Sequence, residues 1–171
     1  MSTGTHDDWQ DRVDAVWNDA DADEATVIER IAALAAELPA EDPRGPFELG
    51  GALDSGGREA EAAEQYARAV ELGLAGNARA QLDIQYASTL RNLGRFDEAV
   101  AMLRESERDP ELGASTDAFL ALALHSAGRP DEALAVAIEA LIPTLPRYQR
   151  SLRGYAAELR SGAAGADADA E

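Results

Sequence analysis

The chain has 171 residues, a formal charge of −18 with a pI near 4.3, 15 basic side chains that are all arginine, and no cysteine. Without cysteine there is no disulfide framework, thiolate nucleophile or thiolate metal site, and without lysine there is no Schiff base, lysine general base or phosphate-loop lysine. So acidic a surface repels polyanions, which sets nucleic acid and anionic membrane aside as partners, and the length suits one domain burying roughly 70% of its unfolded surface.

The start, "MSTGTHDDWQDRV", has neither the basic end nor the apolar stretch of a secretory leader. The longest apolar run, Ala118 to Leu124, is too short to cross a bilayer, so a soluble cytoplasmic protein is expected. An arginine-only, alanine-rich, acidic composition fits a GC-rich genome and a salt-loving host equally.

In chain order, Trp9, Val13, Val16 and Trp17 stand at helical spacing, as do Val27, Ile31, Leu34, Ala35 and Leu38, with the acidic "NDADADE" between them. Residues 1–42 are therefore expected to form a helical hairpin. Asp19, Asp21 and Asp23 occupy the first, third and fifth places of a calcium loop, but Glu24 replaces its glycine and Arg30 its final glutamate. The stretch reads better as a solvated, helix-capping loop. His6 and His125 are isolated and suggest no zinc site, and no cofactor is expected.

From residue 43 the chain repeats itself. "GGREAEAA" (56–63), "LGRFDEAV" (93–100) and "AGRPDEAL" (127–134) place Gly57, Gly94 and Gly128 at intervals of 37 and 34 residues, a period typical of stacked helical repeats. Each glycine is predicted to end a helix in the left-handed conformation, with acidic residues in the first turn of the next helix, where they favour its dipole. Arg58, Arg95 and Arg129 each stand three residues before a glutamate. Aligned on the glycines, nine positions are small: Gly50, Ala87 and Ala121; Ala62, Ala99 and Ala133; Ala69, Ser106 and Ala140. Roughly one residue in three is Ala, Gly or Ser, so chance is a poor account. Small side chains admit close helix crossings. Leu49, Tyr86 and Leu120, with Leu53, Leu90 and Leu124, and Tyr66 and Leu103, are expected to fill the seam between.

These residues resemble the tetratricopeptide repeat, a 34-residue antiparallel helix pair with small residues at its eighth, twentieth and twenty-seventh positions and apolar ones at its seventh, eleventh and twenty-fourth. Three repeats are assigned, 43–79, 80–113 and 114–145. The chain departs from the pattern at position four (Pro46, Asp83, Asp117), at position twenty-four of the third repeat (Ala137) and in a three-residue extension near "GNA" (76–78). "ASTLRNLGR" and "LPRYQRSL" also resemble a mostly actinobacterial group of such proteins associated with protein binding. The resemblance implies an all-α, right-handed superhelical stack whose concave groove binds a protein or peptide. Transferred position by position, it places Arg44, Phe47 and Glu48, then Gln81, Ile84, Gln85, Ser88, Arg91 and Asn92, then Ser115, Phe119, Leu122 and His125 on that groove, with Phe119, Ile84 and Leu122 as apolar anchors. The Lys/Asn carboxylate clamp of some members is absent, and only Arg44 and Arg91 stand in for it.

After the third repeat, Pro146 opens an expected capping helix over 146–160, with Leu145, Tyr148, Leu152, Tyr155 and Leu159 as its apolar stripe, to cover the core of the last repeat. Arg147, Arg150 and Arg153 recur on it as a possible secondary basic face, which reads first as a solvated surface. Residues 161–171, acidic and without a large apolar side chain, are expected to be a disordered tail. The favoured function is a non-enzymatic protein-interaction scaffold. Two alternatives stand beside it: a self-assembling homodimer whose groove is filled by a terminal helix, and a small hydrolase using His125 with Asp117.

Overall fold

The computed structural model describes residues 4–168, with side chains from residue 8 to residue 162. Among the described residues there is no strand. The described residues form nine helices in succession: α1 (Gly4–Trp17), α2 (Glu24–Ala35), α3 (Arg44–Ser55), α4 (Glu59–Glu71), α5 (Gly76–Asn92), α6 (Phe96–Glu105), α7 (Ser115–Ser126), α8 (Pro130–Leu141) and α9 (Gln149–Ala168), with a 3-10 turn at Ile142–Thr144 before the last. The chain divides into two compact units, Met1–Leu82 and Asp83–Glu171, the division falling inside α5. Within each unit, helices pack against their neighbours in sequence, as expected of helical repeats.

In the first unit α1 and α2 form the expected hairpin and cover α3. Trp9, Val13, Val16, Ile31 and Leu34 are buried with Ala52 of α3, and the Trp9 indole donates to the Leu34 carbonyl at 2.9 Å. The acidic loop between them is a capping device. Asp23 accepts from the Thr26 amide at 2.8 Å, and hydrogen bonds from the Thr26 side chain and then its amide hold the carboxyl below the usual range, while Asp19 pairs with Arg30 at 2.6 Å. Arg30 thus meets the loop's first carboxylate from the place where a calcium loop would carry its last ligand. Pro46 lies in the first turn of α3, where no intrahelical amide bond is lost. Gly50 is where α3 meets α4: a Cβ there would come within 2.7 Å of the Tyr66 ring, so the buried tyrosine packs on bare backbone.

The second unit is built around one cluster, in which Ile84, Ala87 and Leu90 of α5, Ala99, Val100 and Leu103 of α6, Leu120 and Leu124 of α7, and Ala133 and Val136 of α8 are buried together. Each fully buried leucine or isoleucine contributes on the order of 1.5–3 kcal/mol. The "GNA" extension is not a loop insertion: it forms the first turn of α5, which makes α5 longer than α3 and α7.

All three joints share one geometry. Gly57, Gly94 and Gly128 have φ of +69°, +78° and +75°. The following arginine amide donates back to a buried leucine carbonyl, Arg58 to Leu53 and Arg95 to Leu90 at 2.9 Å and Arg129 to Leu124 at 3.0 Å, closing a Schellman motif. The same arginines pair with the glutamates three residues on, at 2.5, 2.6 and 2.5 Å.

The chain's last helix departs from expectation. It starts at Gln149 rather than Pro146 and is helical through Ala168, beyond the expected tail boundary at Ser161; residues 169–171 lie outside the described part. Its inner line is Gln149, Leu152, Ala156 and Leu159, whereas Tyr148 and Tyr155 are exposed. Tyr148 has φ +67°, a left-handed conformation outside the helix, which starts at the next residue, Gln149.

Candidate functional site

The first-repeat candidates are engaged by their own unit. Phe47 is buried, and Arg44 pairs with Asp42 at 2.5 Å while its guanidinium lies 5.1 Å from the Trp9 ring centroid. Glu48 accepts from the Trp17 indole at 2.9 Å, and burial pushes its carboxyl above the usual range. Gln81, a second-repeat candidate that falls in the same unit, donates to Asn77. The N-terminal hairpin therefore reaches residues that the repeat register had placed on a free groove. Register alone could not reveal this, because the hairpin does not follow the repeat.

In the second unit the candidates separate by depth. Ile84, expected as an anchor, is core, and Phe119 packs half-buried against the same cluster. Gln85, Ser88 and Arg91 are half-buried along α5 and Asn92 is exposed, with Arg91 donating weakly to Asn92 at 3.4 Å. On α7 the pattern is sharper. Ser115, Ala118, Leu122 and His125 are all exposed, and their spacing of three, four and three puts them on one stripe. The opposite stripe, Thr116, Leu120, Ala123 and Leu124, is buried.

That stripe is one wall of an open apolar cavity of about 670 Å³. Ala118, Leu122 and His125 of α7 line it on one side, and Leu134, Ala137 and Leu141 of α8 on the other. Leu122, Leu134 and Leu141 are 51%, 51% and 54% exposed, a high value for three leucines that share one concavity. Leu134 and Leu141 were not expected at a site. The sequence did carry a signal, the alanine at Ala137 where the repeat pattern wants a large residue, because missing bulk there opens the space beneath them.

The carboxylate expected beside His125 is engaged elsewhere. Asp117 accepts from Arg108 at 2.7 Å instead, and among the described hydrogen bonds none reaches the imidazole. Among the described residues no three His, Asp or Glu side chains gather for a metal ion, and the side chain of His6 lies outside them. Arg147, Arg150 and Arg153 are exposed and no described ion pair holds them, whereas Arg160 further along α9 pairs with Glu139. No helix among the described residues is long and apolar enough to cross a membrane.

A family model described as tetratricopeptide repeat matches residues 43–159. No curated protein matches the chain. Repeats of this kind generally act in protein–protein interaction and are generally not catalytic. The match covers most of the chain and spans all three glycine joints, all nine small positions and most of α9, so the protein belongs to the tetratricopeptide repeat family.

Proposed function

We propose that the chain is a non-enzymatic cytoplasmic scaffold that receives a peptide or protein partner on the exposed side of its repeat helices, mainly in the second unit. Gln85, Ser88, Arg91 and Asn92 of α5 and Ser115, Phe119, Leu122 and His125 of α7 are the receiving residues. The observation that carries this reading is the α7 stripe. A helix with one fully buried side and a continuous exposed side bearing serine, leucine and histidine is built to hold its own fold and still offer mixed contacts. Leu122 and the edge of Phe119 supply apolar area, Ser115 and Gln85 hydrogen bonds, and Arg91 a fork for a partner carboxylate. The first-repeat residues contribute less, since α1 already meets them.

Selection of random displayed peptides on the full chain tests the reading. A recurrent sequence should emerge whose binding weakens at least tenfold in a Leu122→Glu variant that keeps its helix content by circular dichroism. No enrichment, or undiminished binding by that variant, would overturn it.

A further inference from the structure

We infer that the outer face of the third repeat is a seat for an amphipathic, positively charged helix of another protein, which inserts two bulky apolar side chains one turn apart between α7 and α8. The inference rests on the proposal that the third repeat receives a partner. It moves the contact from the α7 stripe alone onto α8.

The second repeat supplies the template. Stepping back one repeat length from Ala118, Ala121, Ala133, Leu134 and Ala137 gives Ile84, Ala87, Ala99, Val100 and Leu103, all of them buried. They share one cluster with Leu120 and Leu124, two knobs one turn apart on α7. The surface that α7 occupies on the second repeat is the surface left open on the third. It is a helix-shaped seat because its twin holds a helix.

Its chemistry differs from the twin in a directed way. Ala118 replaces Ile84 and Ala137 replaces Leu103, which takes bulk from the floor and leaves the cavity of about 670 Å³. Leu122 and Leu141 stand where Ser88 and Glu107 stand in the second repeat, which raises an apolar rim. A leucine-sized knob would underfill this floor and forfeit dispersion contacts, so phenylalanine, tryptophan or methionine suits it better.

The chain's own α9 does not take the seat. It buries Ala156 and pairs Arg160 with Glu139, which projects from the far side of α8 from Leu134, and none of its described residues lines the cavity. The formal charge of −18 attracts a basic helix and repels a second copy with the same charge. Asp131 is exposed next to the lining residue Pro130 in sequence, and neither it nor Arg147, Arg150 or Arg153 lines the seat.

Fluorescence anisotropy on the full chain tests this with two labelled lysine-flanked helical peptides of equal composition, one carrying phenylalanines at i and i+4, the other with them on opposite faces. The patterned peptide should bind at least tenfold tighter, at about 0.15 M and about 0.5 M salt alike. Leu134→Gln with Leu141→Gln should abolish that preference, and Glu64→Ala, exposed on α4 and outside the seat, should change it less than twofold. Both leucines are exposed, so unchanged circular dichroism is expected of the variant. Equal binding of the two peptides, or a preference that vanishes at high salt, overturns the inference. Loss with Arg91→Ala but not with the leucine variant also overturns it, yet leaves the proposed scaffold role standing on the α7 stripe. A dimer of the free chain in sedimentation that Leu134→Gln dissolves makes the occupant a second copy and equally overturns it.

Discussion

The first and third repeats are written to one pattern but finished differently. Over α3 the chain lays a hairpin that buries Trp9, Val13 and Val16 and touches Glu48 and Arg44 with its two tryptophans. Over the outer face of α7 and α8 no described side chain is laid, and three leucines stay half in water. A repeat cannot bury both of its faces by itself, so each outermost one needs a cover or must carry an exposed apolar surface. The difference teaches that the closed end is where stability is held and the open end is where an external helix gains most by binding.

Mutations can break that comparison, starting with the largest effect. Trp9→Ala removes a buried indole and its bond to the Leu34 carbonyl, and should cost about 3–5 kcal/mol in urea denaturation. Leu134→Ala should stay within about 0.5 kcal/mol in the same experiment, because its side chain is already half exposed. A cost above about 2 kcal/mol for Leu134 would mean that the third repeat is covered after all. Next, Gly50→Ala drives a Cβ into the Tyr66 ring and should cost about 1–3 kcal/mol, whereas the register-equivalent Ala121→Val, at the half-open face, should cost less than half as much.

Gly94→Ala sharpens the comparison at the backbone. No atom lies within 4 Å of the added carbon, so the loss of about 1 kcal/mol comes from φ +78° alone; Gly154→Ala, inside α9 with nothing near it, should be neutral or slightly stabilising by thermal denaturation. The smallest effect concerns pH. Burial raises the Glu48 carboxyl above its ordinary 4.5, so the stability it contributes is fully present when protonated, below that value, and is lost as pH rises through the raised one. Glu48→Gln, which can still accept from Trp17, should gain up to about 1 kcal/mol over wild type at neutral pH and match it in acid. A wild-type chain more stable than the variant at neutral pH would reverse the sign.

Much of the fold was legible because its devices are local. A glycine that must turn left-handed, acids at the next helix start, and small residues where helices cross are each fixed within a few residues, and Gly57, Gly94 and Gly128 stand as that logic requires. The site was less legible. Register places Phe47 and Ile84 on a groove, yet both are buried, and the hairpin that meets Arg44 and Glu48 beside Phe47 lies outside the repeat pattern. On α9 the buried line passes through Ala156 and leaves Tyr155 exposed, and spacing does not distinguish the two because both lie within reach of Leu152 and Leu159. Leu134 and Leu141 were passed over because apolar residues on a repeat's second helix are ordinarily core. Leu134 differs from its buried counterpart Val100 because no following helix among the described residues takes the seat, whereas Leu141 stands where the second repeat carries the exposed Glu107.

Hydrogen–deuterium exchange on the full chain, with and without the lysine-flanked peptide bearing phenylalanines one turn apart, tests the open third repeat most directly. Slowed exchange is predicted in Ser115–Ser126 and Pro130–Leu141, with Gly4–Trp17 and Glu24–Ala35 unchanged. Protection confined to the hairpin, or none anywhere at saturating peptide, would contradict the account.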